Sequence, residues 1–223
     1  MQINESELRA FSSHYLKLLT EDYKTINLTR IDDSEEFYHK QILDSVLPLK
    51  ESKTFLDSLQ KNGCHVDIGF GGGFPILPLA KLLPKIDFYG FDARAKKANV
   101  VSEIAIKLGI ENASLRHARL EDIFFDKNVS VSFKAVGKIH EFLNMFNTNK
   151  KIEVFFYKGP NYNELEDIDS VLNKWDLIEE ASYDVEGTEG RVLLGFRNKS
   201  VLHGTSSKKF FTFSSLQQNK KKI

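Results

Sequence analysis

Residues 66–75 read VDIGFGGGFP, an apolar run carrying one acidic residue, four glycines within five positions and a closing proline. The whole chain of 223 residues holds only 13 glycines, so this stretch is a strong local concentration. Glycine lacks a Cβ and is favoured where the backbone turns tightly or lies against a ligand. Upstream, HVDIG reads as a short strand, and downstream PILPLAKLLP reads as a helix with Pro75 in its first turn, where a missing N–H costs nothing. The stretch is therefore read as a strand-to-helix turn.

The texture continues on both sides. IDFYGFD (86–92) reads as a strand, RAKKANVVSEIAIKLGI (94–110) as a helix and ASLRHAR (113–119) as a strand. VSVSFKAV (129–136) is a strand, KIHEFLNMF (138–146) a helix, EVFFYKG (153–159) a strand and YNELEDIDSVLNKW (162–175) a helix. DLIEEASYDV and GRVLLGFRN close the run as two strands, a hairpin about Glu186-Gly187. Alternating strands and helices of this length indicate βαβ units and a mostly parallel, doubly wound sheet. Before it, Leu8, Phe11, Tyr15, Leu18 and Leu19 recur at helical spacing over residues 5–23, and a second helix begins at Ser34 and ends near Pro48. The organisation expected is a helical N-terminal extension over 1–60, an α/β domain over 61–198 and a basic tail over 199–223.

Composition excludes several classes. A single cysteine, Cys64, leaves no disulfide framework and no cysteine-based zinc site, and the scattered histidines suggest no metal. Apolar runs fall short of a membrane span, and the first ten residues lack signal-peptide form, so a cytoplasmic protein is expected. Formal charge is zero, but six lysines and no acid follow residue 198, leaving 25 basic against 31 acidic residues before it. Bulk charge announces no polyanion partner; local patches would have to hold one. The tail is either such an anchor or a disordered, solubilising end.

In open α/β sheets ligands bind beyond the carboxyl ends of the strands, where strand order reverses. Gly69, Gly71 and Gly73 lie at that place. Asp92 ends the second strand, 25 residues after Asp67, where a carboxylate can accept ribose hydroxyls. A dinucleotide site would show G-x-G-x-x-G, but Phe74 occupies the position three after Gly71. An acid two residues before alternate-position glycines fits S-adenosylmethionine better.

NLTR (27–30) with HKQILDS (39–45), followed by VDIGFGGGFP, FDARAKKANVVSEIAIKLGI, ARLED, SFKAVGKI, YKGP and TEGRVLLGFRN, resembles the bacterial GidB/RsmG family. The resemblance runs over roughly residues 15–198. It implies a class I, Rossmann-like methyltransferase with a seven-stranded, mostly parallel sheet, acting on N7 of a guanine in the 530-loop region of 16S ribosomal RNA; a monomer is expected. It implies S-adenosyl-L-methionine as cofactor and 16S RNA or the small ribosomal subunit as partner. Cofactor contacts implied are Gly69, Phe74, Leu120 and Glu121, beside Asp67, Gly71, Gly73 and Asp92. Lys134 stands where the family typically has arginine, a point charge for a bidentate fork, toward the methionine carboxylate or an RNA phosphate. Arg119, Lys158 and Arg191 match basic positions suited to RNA; Arg30, Lys40 and Lys138 are further candidates, with Phe74 or Tyr157 as stacking surfaces.

Guanine N7 carries an in-plane lone pair and no proton, so no general base is expected; positioning and tolerance of charge on the purine supply the catalysis. Residues 133–136 hold Phe-Lys-Ala-Val in place of the Asn/Asp-Pro-Pro-aromatic motif of amino-group enzymes, and no cysteine is placed for a carbon-5 mechanism. Three other readings stay open: a methyltransferase of another RNA or small molecule, an RNA-binding protein on this scaffold with weak or no catalysis, and, more distantly, an NAD(P) oxidoreductase.

Overall fold

The computed structural model describes residues 3–203 and 211–218; the remainder of the expected tail, 204–210 and 219–223, lies outside the described residues. Helix α1 (Glu5–Lys17) starts where the Asn4 side chain accepts the Glu7 N–H at 3.3 Å, a cap the sequence supplies through an Asn before two acids. The helix expected through residue 23 gives way at Leu18–Asp22 to a wider turn. A second helical stretch runs through α2 (Ser34–Phe37), a wide turn, α3 (Asp44–Val46) and α4 (Pro48–Glu51). Pro48 opens α4 rather than ending the stretch. Helix α5 (Lys53–Asn62), capped by Ser52 and stopped by Gly63 in the left-handed region, was not anticipated.

From there the alternation holds: β1 (Cys64–Ile68), α6 (Ile76–Leu82), β2 (Asp87–Asp92), α7 (Ala95–Lys107), β3 (Ala113–His117), β4 (Ile123–Phe125), β5 (Val129–Lys134), α8 (Ile139–Met145), β6 (Asn147–Thr148), β7 (Ile152–Lys158), α9 (Tyr162–Leu165), β8 (Trp175–Val185) and β9 (Thr188–Asn198). The main sheet has seven strands in the order β3-β2-β1-β5-β7-β9-β8, parallel except where β9 enters between β7 and β8. This is the doubly wound, mostly parallel sheet the alternation predicts, with the expected hairpin closing it. Strand order reverses at β1, between β2 and β5, which puts the glycine turn at the switch point.

Two apolar layers sandwich the sheet. On one face Leu8, Phe11 and Tyr15 of α1 join Phe55 of α5, Leu77 of α6 and Val101 of α7 in a single core, so the N-terminal helices share the sheet's own packing. On the other face Leu143 and Phe146 pack with Trp175 and Phe213. Part of the expected tail is thereby built in. Strand β10 (Phe211–Thr212) pairs with β4, and α10 (Phe213–Gln218) buries Phe213 against Tyr89 and Phe125.

One expected helix is largely absent. Residues 162–175 form a single turn, α9, and a short 3-10 turn at Asp169–Val171. Glu166 is the reason: it turns inward with extended backbone, pairs with Lys158 at 2.7 Å and accepts the Ile139 N–H at 2.7 Å. An inward carboxylate with two such partners outweighs the modest gain of extending a solvent-exposed helix.

Candidate cofactor cleft and its ionic support

The turn after β1 uses its glycines in two directions. Gly69, Gly71 and Gly73 have φ of +73°, +55° and +95°, all in the region other residues avoid. The Gly69 N–H donates to the Phe91 carbonyl at 2.7 Å, and the Gly71 N–H donates to Asp92 Oδ2 at 3.0 Å. Asp92 Oδ1 accepts the Arg94 N–H at 2.8 Å. The Asp92 carboxylate therefore ties the glycine turn to the start of α7, and each oxygen keeps a lone pair for a further donor.

These groups line a cleft of about 560 Å³ at the carboxyl ends of β1, β2, β3 and β5. Gly69, Gly71 and Asp92 form one side, Leu120 and Glu121 the far end, and Ala135, Val136 and Met145 an apolar wall. A Cβ on Gly69 would lie 2.9 Å from Val136 Cγ1, so only glycine leaves this cradle open. Ala135 itself sits at φ +54°, a strained position that bends the chain after β5 over the glycine turn. A carboxylate for a ribose, an apolar slot and a backbone-lined floor fit the parts of S-adenosylmethionine.

Gly72 and Gly73 face away from the cleft. A Cβ on Gly72 would come 2.7 Å from the Leu28 carbonyl, and one on Gly73 would collide with the Tyr15 hydroxyl, which donates to the Gly72 carbonyl. Phe74 stacks on Tyr15 at 5.1 Å between ring centres and meets Phe37 edge-on. Of the expected cofactor contacts, Gly73 and Phe74 are thus directed to the N-terminal helices. The glycine-rich run serves a ligand on one side and helix docking on the other.

Asp67 also lies off the cleft wall. It is fully buried and accepts the Ser132 hydroxyl at 2.7 Å through Oδ1. Burial pushes this carboxyl up to about 8, with Ser132 and the Lys134 ammonium pulling the other way. The folded state then holds a neutral acid where the unfolded chain ionises near the ordinary value. Stability contributed at low pH is lost as pH rises from about 4 towards 8, by ~1.4 kcal/mol per pH unit. Asp67→Asn should flatten the pH dependence of unfolding free energy across that window; an unchanged slope would show the acid to be ionised in the fold.

The basic residues expected to meet RNA are mostly engaged within the chain. Lys134, at the end of β5, is buried and sits 3.0 Å from Asp44 Oδ2. Arg191 holds the same carboxylate bidentately, Nε at 2.8 Å and Nη2 at 2.7 Å, and the Tyr183 hydroxyl donates to it at 3.0 Å. Burial alone would raise the Asp44 carboxyl; Lys134 and Arg191 overcome this and hold it below the usual range. Lys134 also donates to Gln41 Oε1 at 3.2 Å. Lys158 is paired with Glu166, Lys40 with Glu36, and Lys138 donates to the Leu165 carbonyl. Tyr157 is buried, its hydroxyl donating to the Ser45 carbonyl at 3.0 Å, so it offers no stacking surface. Arg119 remains exposed at the cleft rim, with Glu121 at 3.7 Å.

Three residues were missed by reading the sequence for a site. Asp44, in the LDS stretch, is the anchor of the ionic cluster, and Arg94 and Lys97 line the cleft beside Asp92. For Arg94 and Lys97 the signal was available in the short distance from Asp92 into the first turn of α7.

The fold resembles that of a solved methyltransferase. Mitomycin 7-O-methyltransferase MmcR aligns with a TM-score of 0.52 at 12% identity, over 82% of this chain and 60% of that one, a likeness of fold alone. Among curated proteins, ribosomal RNA small subunit methyltransferase G of Malacoplasma penetrans is 29% identical over 202 residues, 88% of this chain and 84% of that protein. The protein of the same name from Lactobacillus delbrueckii subsp. bulgaricus is 34% identical over 168 residues, 72% and 69% of the two chains. That from Lactobacillus johnsonii is 35% identical over 135 residues, and there the match spans 60% of this chain and 55% of the relative. The family model described as rRNA small subunit methyltransferase G matches residues 9–188. The chain belongs to the GidB family of small-subunit rRNA methyltransferases.

Proposed function

We propose that this protein transfers the methyl group of S-adenosylmethionine to N7 of a guanine in the 530-loop region of 16S ribosomal RNA, presented as RNA or within the small subunit. The observation that carries the reading is the cleft at the strand-order switch, where Gly69, Gly71 and the Asp92 carboxylate converge in a chain of this family. When bound, the cofactor supplies an electrophilic methyl on a sulfonium.

Asp92 would accept the ribose hydroxyls, its two backbone bonds holding it in place. Leu120 and Glu121 would border the adenosine end, and the apolar wall of Val136 and Met145 would help exclude water from the bound methyl group. No side chain is assigned as a base, since N7 needs none; the strained Ala135 turn presents backbone and methyl, not a proton acceptor, to the cleft. Lys134, whose difference from the family arginine is the one feature favouring a binding protein without catalysis, is held by Asp44 and Gln41.

The test is transfer of label from S-adenosylmethionine to 16S RNA or small subunits lacking the modification, with the position read by aniline cleavage at N7-methylguanine. Labelled guanine in the 530 region is expected. Cofactor binding without labelled RNA would overturn the activity, and label at an exocyclic amine would overturn the N7 assignment.

A further inference from the structure

Lys134, Lys158 and Arg191 each rest on a carboxylate of this chain, at 3.0, 2.7 and 2.7 Å. Arg30, Arg94 and Lys97 do not: among the described residues none of the three has an acidic group within ion-pair distance. All three border one concavity of about 590 Å³, walled by residues 26–31 and by Gln41. Arg94 and Lys97 line the cofactor cleft as well, so the two clefts meet along the first turn of α7.

The wall of this second cleft is rigidly joined to the glycine turn. Asn27, at φ +50°, reverses the chain after a short 3-10 turn, and the Thr29 hydroxyl accepts the Ile31 N–H at 3.1 Å. The Leu28 carbonyl then presses on Gly72 closely enough to exclude any side chain there. Gln41, on the opposite side, is fastened by Lys134. A ligand seated here is held at a defined position relative to Gly71 and Asp92.

The lining chooses the ligand class. Asn27, Thr29 and Gln41 are polar, and among the described residues the three cations have no carboxylate within ion-pair distance, so an apolar molecule is disfavoured and an anion with hydrogen-bonding edges is favoured. The chain's formal charge is zero, so long-range attraction to a polyanion is weak and the grip must be local. Unpaired RNA offers phosphates for cations and a splayed base for a neighbouring slot. We propose that the cleft of Arg30, Arg94 and Lys97 grips the phosphates flanking the target guanosine, presenting its base to the cofactor cleft across the first turn of α7. This rests on the RNA methyltransferase reading above and names the surface that reading lacks.

Arg30 is the discriminating residue, since it is exposed and lines only the second cleft. The full-length wild type, Arg30→Gln and Arg30→Lys are compared for S-adenosylmethionine binding by titration calorimetry and for binding a 530-region RNA hairpin over a range of salt. Arg30→Gln should keep cofactor affinity and thermal unfolding while binding RNA about ten-fold more weakly, the order expected for one charge-assisted contact. Its plot of log K against log salt should be shallower by ~0.7, one released counterion on single-stranded RNA. The KM for RNA should rise with kcat kept, and Arg30→Lys should restore the salt slope. Wild-type affinity and slope in Arg30→Gln would overturn the proposal even if the wild type methylates RNA. A wild type that binds both ligands, with the Arg30 effect present but no transfer, would uphold the cleft and sink the activity instead.

Discussion

Replacing Asp92 by alanine is expected to abolish measurable S-adenosylmethionine binding, a loss of at least two orders of magnitude in affinity. Two effects combine. The variant loses the acceptor for the ribose hydroxyls, and hydrogen bonds to a charged group are worth ~1.5–3 kcal/mol each. It also releases the Gly71 and Arg94 amides, which Asp92 holds at 3.0 and 2.8 Å, and so loosens the turn that forms the floor of the cleft. Asp92→Asn separates the two contributions. Its amide oxygen can keep one backbone bond while the second acceptor is lost, so an intermediate affinity is expected. Titration calorimetry on all three proteins, with circular dichroism to confirm folding, decides the matter. Wild-type affinity in a folded Asp92→Ala protein would remove this carboxylate from the cofactor site.

The second large effect is on stability. Asp44→Ala is expected to destabilise the fold by ~3–5 kcal/mol, because it leaves the buried Lys134 ammonium and the Arg191 guanidinium without an anion. For a chain of this size that is a fall in melting temperature of roughly 10 °C. The side chain of Asp44 is 2% exposed and that of Lys134 7%, so water cannot replace the lost partner. Adding Lys134→Met to Asp44→Ala should recover part of the loss, since the more deeply buried cation is then removed and only Arg191, whose side chain is 23% exposed, is left without its anion. A melting temperature within about 2 °C of wild type in Asp44→Ala would show the cluster to be solvated and of little consequence. Cofactor affinity should fall less than stability, because none of the three side chains lines the cofactor cleft.

These two carboxylates show why one half of the site was legible and the other was not. Asp92 sits at a fixed place in a βαβ unit: strand end, glycine turn and following helix are contiguous patterns in the chain, and their spacing places an acid beside a ligand. Asp44 lies 90 residues from Lys134 and 147 from Arg191, in a segment whose periodicity says only that it is helical and whose resemblance assigns Asp44 no role. Nothing local distinguishes a buried anchor from a surface acid. Arg191 shows the converse: a cation near a strand start on the ligand face reads as suited to RNA, and the structure pairs it with Asp44.

The sheet, its mostly parallel order, the switch-point turn and the class of cofactor are legible along the chain, because each follows from periodicity and from residues close together in it. The family membership was legible for the same reason, as ordered motifs from NLTR to TEGRVLLGFRN. Tertiary structure alone decided which glycines face a ligand and which receive Tyr15 and Leu28, which cations are consumed by Asp44 and Glu166, and which remain to meet a phosphate. It also decided that Glu166 would break a helix to satisfy Lys158. The physical reason is common to all of these. Burial and charge pairing are properties of neighbours in space, and the cost of stranding a buried charge is set by groups tens of residues away, where no local pattern reports them.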